Sequence, residues 1–213
     1  MRRRTAVLIS GRGSNLAALI AAAAAPDYPA EIALVLSNRP DAGGLSHANA
    51  AGIQSAVIDH RDFGADRAAH EAALDAALRA HGIEVVCLAG YMRLLTPFLV
   101  GRWAGRMLNI HPSLLPAFPG LHTHERALRA GVKLHGCTVH LVTEATDAGP
   151  ILAQAAVPVL PGDDAERLAA RVLSEEHRLY PLALGLFATG GAGTPPAPDA
   201  ALRNPLPGRA VRE

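Results

Sequence analysis

A short apolar run, Thr5-Ala6-Val7-Leu8-Ile9-Ser10, breaks directly into Gly11-Arg12-Gly13-Ser14-Asn15 and then into an Ala/Leu-rich stretch. A strand, a glycine turn and a helix in that order open a parallel α/β unit, because the helix must cross back over the sheet before the next strand can lie beside the first. The alternation continues through the first hundred residues. A helix is expected at 16–25, stopped by Pro26, then a strand at 31–37, a helix at 44–51, a strand at 55–59, a helix at 63–80 and a strand at 84–89. Several of these strands are continuous apolar runs, as they must be where helices cover both faces of a parallel sheet.

The pattern then changes. A strand at 106–111 runs into Pro112, and 112–119 is proline-rich, hence a shaped loop. A helix is expected at 121–130, ended by Gly131. Segments 138–142 and 151–160 alternate better and flank a loop at 143–150, which suits an antiparallel pair. A long amphipathic helix follows at 163–187, with Asp163 or Asp164 as its cap. From Gly190 to the last residue the chain is Gly/Pro-rich and polar, and reads as a loosely held, flexible tail. The expected fold class is α/β: a mostly parallel sheet with helices on both faces and an antiparallel C-terminal strand pair.

Half of the 213 residues are hydrophobic and 18% are charged, enough apolar material to fill a sizeable core. The formal net charge of +1 offers no bulk attraction to a nucleic acid or a membrane surface, so neither is an expected partner. The first apolar run is too short for a transmembrane span or a signal peptide, and the cytoplasm is the expected location. Cys87, inside Val85-Val86-Cys87-Leu88-Ala89, reads as a small core residue, and with Cys137 it makes no metal-binding spacing. Histidine is abundant, at 10 residues, but His122 and His124 lack the carboxylate or cysteine company of a familiar metal set, so no metal is expected.

Two places carry chemistry. The N–H groups of Gly13, Ser14 and Asn15 would open the first helix, where unpaired donors and the positive helix end favour a phosphate. The full G-x-G-x-x-G spacing is missing, and so is Gly-Lys-Ser/Thr, which disfavours a dinucleotide or a nucleoside triphosphate. Ser14 or Asn15 as an ordinary helix cap explains the same residues. The second place is the end of the strand at 106–111. Asn109 and His111 are two apart and share one face, with Pro112 holding the imidazole at the rim. An amide N–H beside an imidazole suits acyl transfer: one steadies a developing oxyanion, the other handles a proton near neutral pH. A polar strand end tied to its own loop is the plain alternative. Asp147, before Ala148-Gly149-Pro150, has the composition of a turn, and it also has the chemistry to orient an imidazole from another segment.

Several motifs in order then resemble one family. Leu108-Asn109-Ile110-His111-Pro112-Ser113-Leu114-Leu115-Pro116 resembles the signature of the folate-dependent formyltransferases. Gly136-Cys137-Thr138-Val139-His140 through Asp147-Ala148-Gly149-Pro150-Ile151 resembles that family's second signature, and Ser10 to Asn15 and Leu88 to Arg93 fit as well. The resemblance covers about 5–187. It implies a Rossmann-like formyltransferase domain at 1–189, with a phosphate-binding half at about 1–100 and a catalytic and folate-binding half at about 101–189. The implied reaction moves the formyl group of 10-formyltetrahydrofolate to the amine of glycinamide ribonucleotide, in de novo purine synthesis, by a monomer or a homodimer. The implied catalytic residues are Asn109, His111 and Asp147. Gly13, Ser14, Asn15 and Glu176 would hold the amine substrate. Arg67, Met92, Arg93, Leu94, Leu95, Asn109, Thr143, Glu144 and Asp147 would face the folate. Leu173 departs from the family pattern, which often has a polar or basic residue there near the phosphate, and this leaves more of the grip to the backbone turn and Arg12. Glu176 as plain helix surface is the alternative for that residue. Family members with an added RNA-binding or regulatory domain are longer at one end, and no such extension is expected here.

Overall fold

The computed structural model describes residues 1–190 of the chain. Beyond Gly190, the segment expected to be a tail lies outside the described residues. Seven strands, β1 (Arg3–Ile9), β2 (Ala30–Ser37), β3 (Ser55–Val57), β4 (Val85–Leu88), β5 (Met107–His111), β6 (Leu134–Leu141) and β7 (Ile151–Pro158), form one sheet in the order β3-β2-β1-β4-β5-β6-β7. The first five pair in parallel, whereas β5-β6 and β6-β7 are antiparallel. The expected mixed architecture is therefore present. The chain runs outward in one direction from β1 and in the other from β4, so a crevice opens at the C-terminal ends of these two strands. That is where sheets of this kind bind ligands.

The helices are α1 (Ser14–Ala23), α2 (Gly44–Ala50), α3 (Arg67–Ala80), α4 (Pro97–Arg102), α5 (Thr123–Ala130) and α6 (Ala165–Ala188). Alternate residues of each strand feed opposite faces. Val7, Ile9, Cys87 and Leu108 pack with Leu16 and Leu19 of α1 and with Val172, Tyr180 and Leu184 of α6. Ala6, Leu8, Val86 and Met107 pack on the other face with Leu74 and Leu78 of α3, Leu99 of α4 and Trp103 just past its end. Each fully buried Leu or Val contributes about 1.5–3 kcal/mol by removal from water.

The last helix positions much of the site. Asp164 caps it by accepting from Arg167 N at 2.8 Å. Leu168, Val172, Leu179, Tyr180, Ala183 and Leu184 form its buried stripe. Glu176 falls in that same stripe, four residues after Val172, and is only 7% exposed. The Tyr180 hydroxyl is shared between Leu88 O and Leu108 O, 3.1 Å from each, and braces β4 against β5.

Some elements differ from the sequence expectation. The helix expected from residue 63 starts at Arg67, because Gly64 takes φ +54° and Asp66 caps the helix by accepting from Ala69 N at 2.9 Å. Phe63 instead closes a short 3₁₀ turn and meets the His70 ring edge-on at 5.4 Å. Strand β6 begins at Leu134 rather than 138. Gly136 permits this, since a Cβ there would stand 1.9 Å from Ala155 O of β7. The helix α4 was not anticipated; six residues carry almost no periodicity, and only Thr96-Pro97 marks its start.

Candidate active site

The turn after β1 is built by glycine. Gly13 takes φ +76° at the position capping α1, and no side chain caps that helix. A Cβ on Gly13 would lie 2.5 Å from Gly44 Cα, so the turn seats directly on the start of α2. The ordinary-cap reading of Ser14 and Asn15 does not hold, and the leading N–H groups of α1 remain open to a ligand. The Asn15 side chain instead reaches across to α6, where Nδ2 donates to Glu176 Oε2 at 2.7 Å. Asn15 Oδ1 is buried without a partner. Burial raises the Glu176 pKa, against which the Asn15 hydrogen bond and then the field of His111 pull it down. Glu176 is thus a buried group between the turn and the histidine, not plain helix surface.

At the end of β5 the three expected polar side chains converge. Asp147 Oδ2 lies 3.4 Å from His111 Nδ1 and accepts from Gly120 N at 2.8 Å. His111 Nε2 donates to Phe118 O at 3.0 Å. Both ring nitrogens of His111 therefore face acceptors. A neutral ring can satisfy one of them, and an imidazolium satisfies both. The His111 and Asp147 side chains are only 8% and 10% exposed, which strengthens their attraction relative to a surface pair.

A fourth residue, His140, belongs to the group and was not singled out from the sequence. It stands opposite Asn109 across the β5-β6 ladder, and the Asn109 amide lies 3.1 Å from its Nε2. His140 Nδ1 lies 3.0 Å from Leu141 O. An Nδ1–H donating to that carbonyl leaves Nε2 to accept from Asn109, and this fixes one amide hydrogen while the other points away. Burial, the largest influence, lowers the His140 pKa, which agrees with this neutral form. The 3.7 Å approach of Asp147 Oδ1 to His140 Nε2 is then proximity and not an ion pair. The signal in the sequence was the antiparallel pairing that sets His140 against Asn109.

The proline-rich loop is cemented from below. Thr138 Oγ1 donates to Ser113 O at 2.7 Å and accepts from Leu115 N and Gln154 Nε2, each at 3.0 Å. These bonds fix the start of the loop whose later carbonyl, that of Phe118, meets His111. Phe118, His122 and Asp147 all hold positive φ, at 53°, 57° and 54°. Each such non-glycine residue costs about 1–2 kcal/mol, and strained backbone of this kind gathers at functional sites. Phe118 also meets the His135 ring edge-on at 5.9 Å. Burial, and then the neighbouring His124, push the His135 imidazole down to about 4.

The remaining expected residues surround this centre. Met92 and Leu94 are 68% and 62% exposed on the loop after β4, with Arg93 and Leu95 half-buried. Ser10 ties that loop to the sheet by accepting from Met92 N at 2.8 Å while donating to Asn38 Oδ1 at 2.6 Å. Thr143 and Glu144 are exposed on the loop that ends in Asp147; Val142, just before them, packs in the same cluster as Tyr91 and Leu95. Arg67 opens α3 and is exposed; the structure gives it no hydrogen bond to either loop. Leu173 lies one residue after the buried Val172 on α6. Among the described residues, no group of three or more His, Cys, Asp or Glu is placed to hold a metal ion, and no helix is long and apolar enough to cross a membrane.

Comparison with known proteins converges on one family. The formyl transferase family matches residues 3–184. The chain is 50% identical over 193 residues to the trifunctional purine biosynthetic protein adenosine-3 of Drosophila melanogaster, covering 90% of this chain and 14% of that much longer protein. It is 46% identical over 184 residues to phosphoribosylglycinamide formyltransferase of Escherichia coli, covering 86% of each. The crystal structure of phosphoribosylglycinamide formyltransferase from Brucella melitensis shares 63% identity and superposes with a TM-score of 0.85, over 89% of this chain and 97% of that one.

Proposed function

Since the chain belongs to the formyl transferase family, we propose that it transfers the formyl group of 10-formyltetrahydrofolate to the amine of glycinamide ribonucleotide, releasing tetrahydrofolate and formylglycinamide ribonucleotide. The observation that carries this reading is the convergence at the end of β5. An imidazole is clamped between a carboxylate and a carbonyl, beside an amide whose second hydrogen is unclaimed. Glu176, whose pKa feels His111, links that centre to the glycine turn through Asn15.

In this reading the turn at Gly13, Ser14 and Asn15 receives the phosphate and Glu176 the ribose. Met92, Arg93, Leu94, Leu95, Arg67 and the loop carrying Thr143 and Glu144 receive the folate. The amine nitrogen attacks the formyl carbon, and the carbonyl electron pair moves onto oxygen. Asn109 donates to that oxygen, and protonated His111 lends it positive charge, the kind of contribution worth about 3 kcal/mol per donor. Asp147 orients His111 and assists the passage of the amine proton to the folate nitrogen as its bond to the formyl carbon breaks. Holding both substrates in line supplies much of the rate. No covalent enzyme intermediate is required. Cys87 is fully buried, and burial pushes its thiol up to about 12, far from a nucleophile's range.

The test is a spectrophotometric assay of tetrahydrofolate release with and without glycinamide ribonucleotide. Release that depends on the amine supports the reading. Release without any acceptor marks a hydrolase, and no release in either case marks a binder; either outcome overturns it.

A further inference from the structure

The loop between β4 and α4 is pinned at three points, and one pin is a buried carboxylate to which the reaction assigns no role. Ala89 N donates to Leu8 O at 2.9 Å, and Met92 N donates to Ser10 Oγ at 2.8 Å. The third pin is Thr96, whose N–H donates to Glu71 Oε1 at 2.7 Å and whose hydroxyl donates to Glu71 Oε2. Glu71 is on α3 and only 2% exposed. Thr96 occupies the capping position of α4, yet its side chain does not cap that helix, because it is turned to Glu71 instead. Between the second and third pins, Arg93, Leu94 and Leu95 make no backbone hydrogen bond to any described residue. Their main-chain donors and acceptors thus have no backbone partner among the described residues, on a short arch whose two ends are fixed.

The geometry points to Glu71 as a positioning residue for the donor side of the site. It holds the far end of the 92–95 arch so that main-chain groups are presented in a fixed pattern to a flat, hydrogen-bonding heterocycle. This deepens the proposed function and rests on it for the identity of that heterocycle. Burying a carboxylate is expensive unless it is fully hydrogen-bonded, and Glu71 meets the condition with two donors from one residue. A carboxylate suits the task because one planar group accepts from an N–H and a hydroxyl together. Glu71 and Arg93 both lie close enough to the Tyr91 hydroxyl to act on it electrostatically, which places Tyr91, in the same loop, near the carboxylate as well.

The test compares Glu71→Met, which removes both acceptors at similar volume, with Glu71→Gln, whose carbonyl still accepts from Thr96 N and whose amide still meets the hydroxyl. For Glu71→Met, the KM for 10-formyltetrahydrofolate is expected to rise about tenfold, with kcat and the KM for glycinamide ribonucleotide within about threefold of the native values. Glu71→Gln is expected to restore the folate KM to within about threefold. Without any substrate, amide hydrogen exchange over 89–96 is expected to accelerate in Glu71→Met and not in Glu71→Gln. An unchanged folate KM in Glu71→Met, a parallel shift of all three kinetic constants, or unaltered exchange in the loop would each overturn the assignment. If Glu71→Met does not fold, Thr96→Val replaces it: it removes one of the two bonds, and a folate KM within about 1.5-fold of native would then overturn the assignment. Failure of the native chain to release tetrahydrofolate defeats the functional reading, while the exchange comparison still decides whether Glu71 holds the arch.

Discussion

The turn after β1 and the end of β5 lie along the same edge of the sheet, yet they are made from different parts of the polypeptide. At the turn, the useful groups are main-chain N–H donors, arranged by a glycine at positive φ pressed against a second glycine. At the end of β5, they are side chains: Asn109 set by His140, His111 set by Phe118 O and Asp147. A main-chain site grips a charge of one shape and has nothing to titrate there. A side-chain site can take and return protons. The difference predicts that damage at the first edge shows in binding and damage at the second shows in turnover.

The largest effect that would sharpen this contrast is expected at His111 and Asp147. Alanine at either should leave the fold intact, as read by circular dichroism, and lower kcat by about 10³-fold, the range of lost acid–base and electrostatic assistance. Near-native turnover in either variant would remove that residue from the chemistry. Asn109→Ala should cost about 10²-fold in kcat with little change in either KM, as for a missing oxyanion donor. A loss confined to KM would move Asn109 to the binding side of the comparison. Gly13→Ala tests the other edge. Its Cβ must displace Gly44 and its φ is strained, so the KM for glycinamide ribonucleotide should rise about tenfold and stability should fall by about 1–3 kcal/mol, while kcat changes least. A drop in kcat with KM untouched would break the contrast.

The smallest effect is a pH dependence of stability beneath the catalytic loop. His135 titrates near 4 in the folded chain against a usual 6.5. Between those values the unfolded chain binds the proton and the folded chain does not. Its contribution is therefore complete above about pH 6.5 and lost as pH falls toward 4, by about 1–3 kcal/mol in all. Urea unfolding of His135→Leu across that window should show a shallower pH slope than the native chain, whatever its absolute stability. An identical slope would assign the dependence to other groups.

Asn109 and His111 were legible in the sequence because a two-residue strand period puts them on one face and Pro112 ends the strand beside them. Asp147 was legible only through the resemblance. It reaches His111 by a positive φ and a bond to Gly120 N, 27 residues away, and no local pattern encodes either. His140 stood in the sequence as one histidine among several; its meaning appears only once β6 runs antiparallel to β5. Glu176 was assigned through the resemblance, with helix surface as the alternative among its charged neighbours; its four-residue step from Val172 puts it in the buried stripe. Gly64 and the short α4 were missed for a common reason: brief elements are set by their tertiary contacts more than by periodicity.

One close approach in the sheet limits how this active site can vary in length. A side chain at Gly149 would bring its Cβ to 1.8 Å from Leu141 O, and Leu141 N bonds Pro150 O at 2.9 Å, so residues 149–150 lie flush on the end of β6. Asp147 is thus hung two residues from a fixed seam, while 143–146 arch outward into solvent. Extra residues can be absorbed upstream of the aspartate, where the arch simply grows. A single residue inserted downstream, between 147 and 149, would carry the carboxylate off the imidazole, so this loop can be lengthened on one side only.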